Sequence, residues 1–143
     1  MRALIREYGV LFAFIVSLAA TCGSLFLSEV MGYIPCNLCW FQRIFMYPLV
    51  WLLGRAAIRD DRGIRGYVLP LAIIGALFSA YHYAEQKIPG VADIAPCKTG
   101  IPCNTDYLDW FGVITIPLMA LFAFILIIVF LLLSRKPSDH AEE

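Results

Sequence analysis

Charge is what this sequence has least of. Asp, Glu, Lys and Arg make up 15% of its 143 residues, against about 25% in an ordinary soluble domain. Hydrophobic residues fill the difference at 61%, and the mean hydropathy is +0.77. That much apolar surface needs a solvent other than water, which argues against a soluble globular domain. Also missing are any Gly/Ser-rich linker, low-complexity stretch or convincing internal repeat. A multidomain chain and a solenoid are therefore disfavoured, and residues 1–143 read as one membrane unit.

The uncharged stretches show how the chain meets that solvent. A helix needs about 20 apolar residues to cross a hydrocarbon layer of ~30 Å. Four runs qualify: Tyr8 to Leu27, which has no charge; Trp40 to Ile58, broken by Arg43 and Arg55; Gly66 to Ala84; and Trp110 to Leu133, the longest and most apolar. The expected fold is an all-α membrane protein, a four-transmembrane-helix bundle. Its helices fall at about residues 8–28, 38–58, 66–85 and 110–134, and its outer loops at about 29–37 and 86–109. Arg2 and Arg6 ahead of an apolar stretch resemble a signal peptide, and Ala19-Ala20-Thr21-Cys22 resembles a lipoprotein cleavage box. The apolar run continues to Leu27, however, beyond the 7–15 residues of a signal core, so it reads as a span.

Formal net charge is zero, yet the cations are sorted. Arg55, Arg59, Arg62 and Arg65 lie between runs two and three, Arg2 and Arg6 precede run one, and Arg135 and Lys136 follow run four. The segment from Glu29 to Cys39 has no cation, and that from Glu85 to Asp109 has only Lys87 and Lys98. Cationic short loops stay in the cytoplasm. Both termini and the Arg-rich loop are therefore expected inside, and the other two loops outside. A nucleic-acid-binding patch is the competing reading of the arginines, but juxtamembrane cations already have this topological role.

Four of the five cysteines, Cys36, Cys39, Cys97 and Cys103, fall in or beside the two outer loops, on the oxidising side where disulfides persist. The fifth, Cys22, lies deep in helix one and reads as a small buried hydrophobe. Cys36-Asn37-Leu38-Cys39 is a C-x-x-C pair, with Pro35 suited to the first position of a helix. At 100° per residue, Cys36, Cys39 and Arg43 share an arc of roughly 60°, and Tyr47 continues the stripe one turn further in. A helix N-terminus and a nearby cation both favour thiolate, the reactive form in exchange chemistry. Zinc on all four outer thiolates is an alternative. Thiolates in an oxidising compartment tend to pair, however, and no histidine neighbours either motif in sequence, so no metal is expected.

Cys97 and Cys103 have five residues between them, in a stretch that also holds Pro89, Gly90, Pro96, Gly100 and Pro102. Such a turn-rich loop suits either a staple or a disulfide that a partner protein reaches. Four cysteines allow three pairings, and spacing leaves them open. Arg43 inside a span reads either as snorkelling or as a functional cation, and its place beside the cysteines favours function. A guanidinium there could bind a quinone carbonyl. His82, between Tyr81 and Tyr83, is an interfacial histidine or a proton carrier. Tyr33, Trp40, Tyr107 and Trp110 fit an interfacial aromatic belt. Pro117 is expected to kink helix four.

The run Pro35-Cys36-Asn37-Leu38-Cys39-Trp40-Phe41-Gln42-Arg43 resembles the signature of the DsbB family of disulfide bond formation proteins. Length, four spans, inside termini and two outer cysteine pairs match over nearly the whole chain. The short spacing of Cys97 and Cys103 is similar to the BdbC-like branch, in place of the long loop of the enterobacterial type. The resemblance implies disulfides Cys36–Cys39 and Cys97–Cys103. It implies a bacterial cytoplasmic membrane with the cysteines extracytoplasmic. It also implies an extracytoplasmic thioredoxin-like thiol oxidase (DsbA- or BdbD-like) as partner, and menaquinone or ubiquinone as electron acceptor. The partner would attack Cys97, Cys103 would attack Cys36, and Cys39 would pass electrons to quinone near Arg43, with Tyr47 and His82 as further quinone-site candidates. Vitamin K epoxide reductase-like proteins also use C-x-x-C in four helices, but carry it late in the chain. A structural tetraspan protein with outer disulfides is the reading from another class, and it leaves Arg43 beside Cys39 unexplained.

Overall fold

Residues 1–61, 63–88, 90–91 and 113–134 are described by the computed structural model. The apolar runs become four helices: α1 (Arg2–Leu25), α2 (Asn37–Arg59), α3 (Arg65–Lys87) and α4 (Ile116–Leu133). At 1.5 Å per residue they span about 27 to 36 Å, the order of a bilayer's hydrocarbon thickness. Three stretches, Arg2–Val30, Arg65–Lys87 and Ile116–Leu133, are long and apolar enough to cross a membrane. α2 is as long as α3 but carries Gln42, Arg43, Arg55 and Arg59. Each helix packs on the next, and α4 closes on α1, while α2 and α4 barely touch across the middle.

The interior is built from one stripe per helix. Val10, Ala13 and Ser17 on α1 face Leu49, Leu53 and Ala56 on α2, Val68 and Ala72 on α3, and Phe124, Ile127 and Leu131 on α4. The outside is equally apolar: Trp51, Ile58, Leu77 and Phe122 are all exposed. A helix hydrophobic all round, as α4 is, belongs in lipid or in a large core. With lipid outside, helix association depends on close packing rather than on expelling water. Gly75 supplies it on α3, where a Cβ would run into the Phe124 ring. Gly9 supplies it on α1, where a Cβ would lie 2.7 Å from the Phe130 carbonyl oxygen. The buried hydroxyls of Ser17 and Ser79 are satisfied within their own helices, donating to Phe14 O and Gly75 O.

Three features differ from the sequence expectation. Helix α1 starts at Arg2, because Arg-Ala-Leu-Ile-Arg-Glu is good helix former whatever its hydropathy, and it runs on through a π turn at Phe26–Val30. Helix α4 starts at Ile116, and Pro117 sits in its first turn. The missing N–H costs nothing there, so the expected kink at Pro117 does not form. Prolines inside helices occur instead at Pro48 and Pro70. Cys22, expected to be buried, is exposed. The α1 stripe through residues 10, 13 and 17 continues to half-buried Ala20 and Ser24, which turns Cys22 outward.

Between α2 and α3 the chain turns tightly. Asp60 ends α2 in the left-handed region at φ 49°, which Asp tolerates better than most residues. Asp61 Oδ1 then accepts the Gly63 N–H at 2.9 Å. This short connection fixes α2 antiparallel to α3, so the N-terminus of α2 meets the C-terminal turns of α3. The cysteine pair and His82 are thereby brought to one end of the bundle.

Candidate active site

Cys36 is the N-cap of α2, with extended backbone at φ −76° and ψ 176°. Its Sγ accepts the Cys39 N–H at 3.4 Å, in the manner of a capping side chain. The sequence places Pro35 at the first helical position; in the structure the helix begins two residues later, and the cap falls on Cys36 itself. The two sulfurs are 2.8 Å apart. Cys36 is 6% exposed and Cys39 half-buried.

The two thiols face different surroundings. Cys36 looks across to α3, where His82 Nε2 lies 3.7 Å from its Sγ. His82 is 1% exposed, a buried neighbour of the cysteine rather than an interfacial side chain. On its other side, Nδ1 is 3.0 Å from Gln42 Nε2. With the amide assigned so that its nitrogen donates to Nδ1, the ring proton sits on Nε2 and points at the Cys36 sulfur. Phe78 holds this register, stacked against Phe41 and Phe45 of α2 with centroids 5.1 and 5.5 Å away. Leu38 and Tyr81 complete the wall.

Cys39, by contrast, lines a cavity of about 460 Å³ between α1, α2 and α4. Val16, Ala20, Leu27, Met119 and Ala123 make most of the wall apolar. Arg43 and Tyr47 also line it, at successive turns of α2 below Cys39. Arg43 is held by two contacts. One guanidinium nitrogen donates to Ser24 O at 3.1 Å, and its carbon lies 5.4 Å from the centroid of the Trp40 ring. The hydroxyl of Tyr47 is buried without a hydrogen-bond partner among the described residues. A buried polar group of that kind calls for a partner, and an oxygen-bearing ligand in the cavity would provide one.

Around Cys36 the environment favours thiolate, holding it well below the ordinary thiol range. The largest cause is the hydrogen bond from the Cys39 thiol; burial opposes it, and His82 adds to the lowering. In the reduced protein, iodoacetamide should therefore label Cys36 at nearly the same rate between about pH 6 and pH 8, where an ordinary thiol accelerates almost a hundredfold. Mass-resolved alkylation checks this, and a rate rising tenfold per pH unit would contradict it. His82→Phe is expected to restore part of the pH dependence.

Cys36 Sγ, Cys39 Sγ and a His82 ring nitrogen lie within 4.8 Å of one another. Two thiolates on one zinc, each at about 2.3 Å in a tetrahedral arrangement, would stand roughly 3.8 Å apart. The 2.8 Å between the sulfurs is shorter than that spacing.

Sequence reasoning passed over Gln42 and left His82 undecided, since 46 residues separate His82 from Cys36. An uncharged polar residue inside a span was the available signal for Gln42. Cys97 and Cys103 lie outside the described residues, so their pairing is not part of this geometry.

Comparison with known proteins bears on what such a site is for. The family model for disulfide bond formation protein DsbB matches residues 6–134. Disulfide bond formation protein C of Bacillus subtilis is 55% identical over 123 residues, covering 86% of this chain and 89% of the relative. A probable disulfide formation protein C 1 of Bacillus cereus is 47% identical over 133 residues, with 92% and 96% covered. A probable disulfide formation protein of Coxiella burnetii is 44% identical over 137 residues, with 95% and 93% covered. No solved structure gives a significant match. The family match takes in α1 from Arg6 onward, the other three helices and the whole Cys36–Cys39 site, and the chain belongs to the DsbB family of disulfide bond formation proteins.

Proposed function

We propose that this disulfide-generating membrane oxidoreductase takes two electrons from a thioredoxin-like dithiol partner and delivers them to a membrane quinone in the cavity beneath Cys39. One observation carries the reading. The pair is split between two environments, with Cys36 against His82 and Cys39 on an apolar cavity also lined by Arg43 and Tyr47. An apolar cavity with a few placed polar groups suits a ring bearing carbonyl oxygens. Arg43 and Tyr47 would hold those oxygens. A quinone bound there takes up two electrons and two protons.

The chain's own steps are thiol–disulfide exchanges. A partner thiolate attacks Cys97 and frees Cys103. Cys103 attacks Cys36, breaking Cys36–Cys39 and leaving the electron pair on Cys39. The partner's second thiol resolves the mixed disulfide at Cys97, so the partner leaves oxidised. Cys97 then attacks Cys103, re-forming their bond and releasing Cys36 as a thiolate facing His82. This sequence requires both pairs on one side of the membrane. It fits four spans with both termini cytoplasmic and the cysteines extracytoplasmic, in a bacterial cytoplasmic membrane, as the sorting of arginines supports.

The test is turnover with and without quinone. Purified protein stripped of quinone should oxidise no more partner than its own disulfides account for. Adding a short-chain ubiquinone or menaquinone analogue under anaerobic conditions should give many turnovers. Multiple turnovers without any quinone would refute the proposal.

A further inference from the structure

Beyond His82, α3 carries one more ionisable group into the same interior. Glu85 lies three residues further on, one helical turn, and continues the buried stripe through Gly75, Ser79 and His82. It is 5% exposed, and its Oε2 has no hydrogen-bond partner among the described residues. Its carboxyl lies within electrostatic reach of both His82 and Cys36. Lys87, two residues on, ends the helix, so Glu85 stands at the mouth of the bundle.

A buried carboxyl left unsatisfied beside a redox cysteine is costly for structure alone. The cost has a use if the group changes protonation as the pair changes redox state. In the disulfide, Cys36 carries no charge. Once reduced, Cys36 is a thiolate, and an ionised Glu85 would then place two negative charges in one low-dielectric pocket. Among the described residues, the titratable groups that act on it are His82 on its own helix and Cys36 at the head of α2, with Lys87 ending α3 and Cys39 and Arg43 further along α2. Between Ile116 and Leu133, α4 offers none.

We propose that Glu85 is the proton-storing residue of the Cys36–Cys39 pair, taking up a proton when the pair is reduced and giving it up when the pair is oxidised. The step balances as follows. The incoming dithiol supplies two electrons and two protons. The Cys36–Cys39 bond breaks, one proton stays on the Cys39 thiol, the other goes to the Glu85 carboxylate, and Cys36 remains a thiolate under His82. On reoxidation the S–S bond re-forms, and both protons leave with the two electrons to the quinone. Cys36 thus stays reactive through the cycle while the site as a whole carries two protons. The proposal rests on the redox role assigned above to this pair.

The measurement is the proton dependence of the pair's redox equilibrium. Full-length, quinone-free protein is equilibrated with glutathione buffers at several pH values, and the Cys36–Cys39 peptide is read by mass-resolved alkylation, with the buffer's own proton dependence removed. Each proton taken up with the two electrons shifts the equilibrium constant tenfold per pH unit, about 30 mV. The wild-type protein should show the two-proton response, a hundredfold per pH unit or about 59 mV. Glu85→Gln keeps the shape and removes the titration, and should fall to tenfold per pH unit. Glu85→Asp keeps a carboxyl and should retain the hundredfold response. A one-proton response in the wild type, an unchanged response in Glu85→Gln, or a one-proton response in Glu85→Asp would each overturn the assignment. A pair that takes up no electrons in any buffer would instead remove the redox reading on which it rests.

Discussion

Cys39→Ala is expected to abolish quinone-linked oxidation of the partner, a loss on the order of a thousandfold or more, as for removal of an essential nucleophile. Cys39 is the sulfur of the described pair that lines the cavity, with Arg43 and Tyr47 below it, whereas Cys36 is turned to His82. Alanine leaves no atom able to carry the electron pair from the exchange reaction to the cavity. It also leaves Cys36 without the partner that closes its disulfide. With no Cys36–Cys39 disulfide for Cys103 to attack, the electrons have nowhere to go once the Cys97–Cys103 bond is spent. Thiol counting should then show at most one equivalent of partner oxidised per protein, with no further turnover when quinone is added. Cys36→Ala should be equally inactive but should leave Cys39 on the cavity wall. Added quinone should then perturb Cys39 alkylation in Cys36→Ala and leave Cys36 alkylation in Cys39→Ala little changed. Full partner oxidation by Cys39→Ala would sink the assignment of this cysteine.

How far this site was legible from the sequence depended on range along the chain. Cys36, Cys39, Arg43 and Tyr47 lie on one helix, and helical period alone put them on one stripe. The pattern did not show that this stripe is divided, with Cys36 on the α3 side and Cys39 on the α1 and α4 side. That division depends on where the neighbouring helices pack, and no local signal encodes it. His82 and Glu85 are the clearest case. Both sit at the end of an apolar run, where polar residues are ordinary. Only the antiparallel return of α3 brings His82 to 3.7 Å from Cys36. Hydropathy located the stretches that cross the lipid better than it located helix ends. It misses the polar first turn of α1, and it cannot tell an N-terminal Pro117 from a kinking one. Exposure of Cys22 was hidden for a different reason. In a protein dissolved in lipid both faces of α1 are apolar, so composition does not say which face is inside.

Arg43→Met should separate the quinone half of the reaction from the thiol half. Methionine keeps an unbranched apolar stem and removes the guanidinium, so the cavity wall stays filled while the positive charge of Arg43 disappears. A hydrogen bond to a charged group contributes about 1.5–3 kcal/mol. The expected loss in kcat/KM for quinone is therefore roughly 10- to 150-fold, with the rate at which partner reduces the quinone-free protein unchanged. Arg43 also donates to Ser24 O and lies over Trp40, so a purely structural role has to be distinguished. Were it only a strut between α1 and α2, both halves of the reaction would decline together, and thermal stability with them. Arg43→Lys sharpens the contrast. It keeps the positive charge but not the planar fork that can hold Ser24 O and a ligand oxygen at once. It should therefore recover part of the quinone affinity and little of the rate. Tyr47→Phe removes a hydroxyl that has no partner among the described residues, so it should leave stability nearly untouched. Any rise in quinone KM in that variant, expected at several-fold from a neutral hydrogen bond worth about 1 kcal/mol, would come from the ligand alone. Equal loss in the partner-dependent and quinone-dependent steps of Arg43→Met would move the arginine out of the quinone site and into the architecture of the bundle.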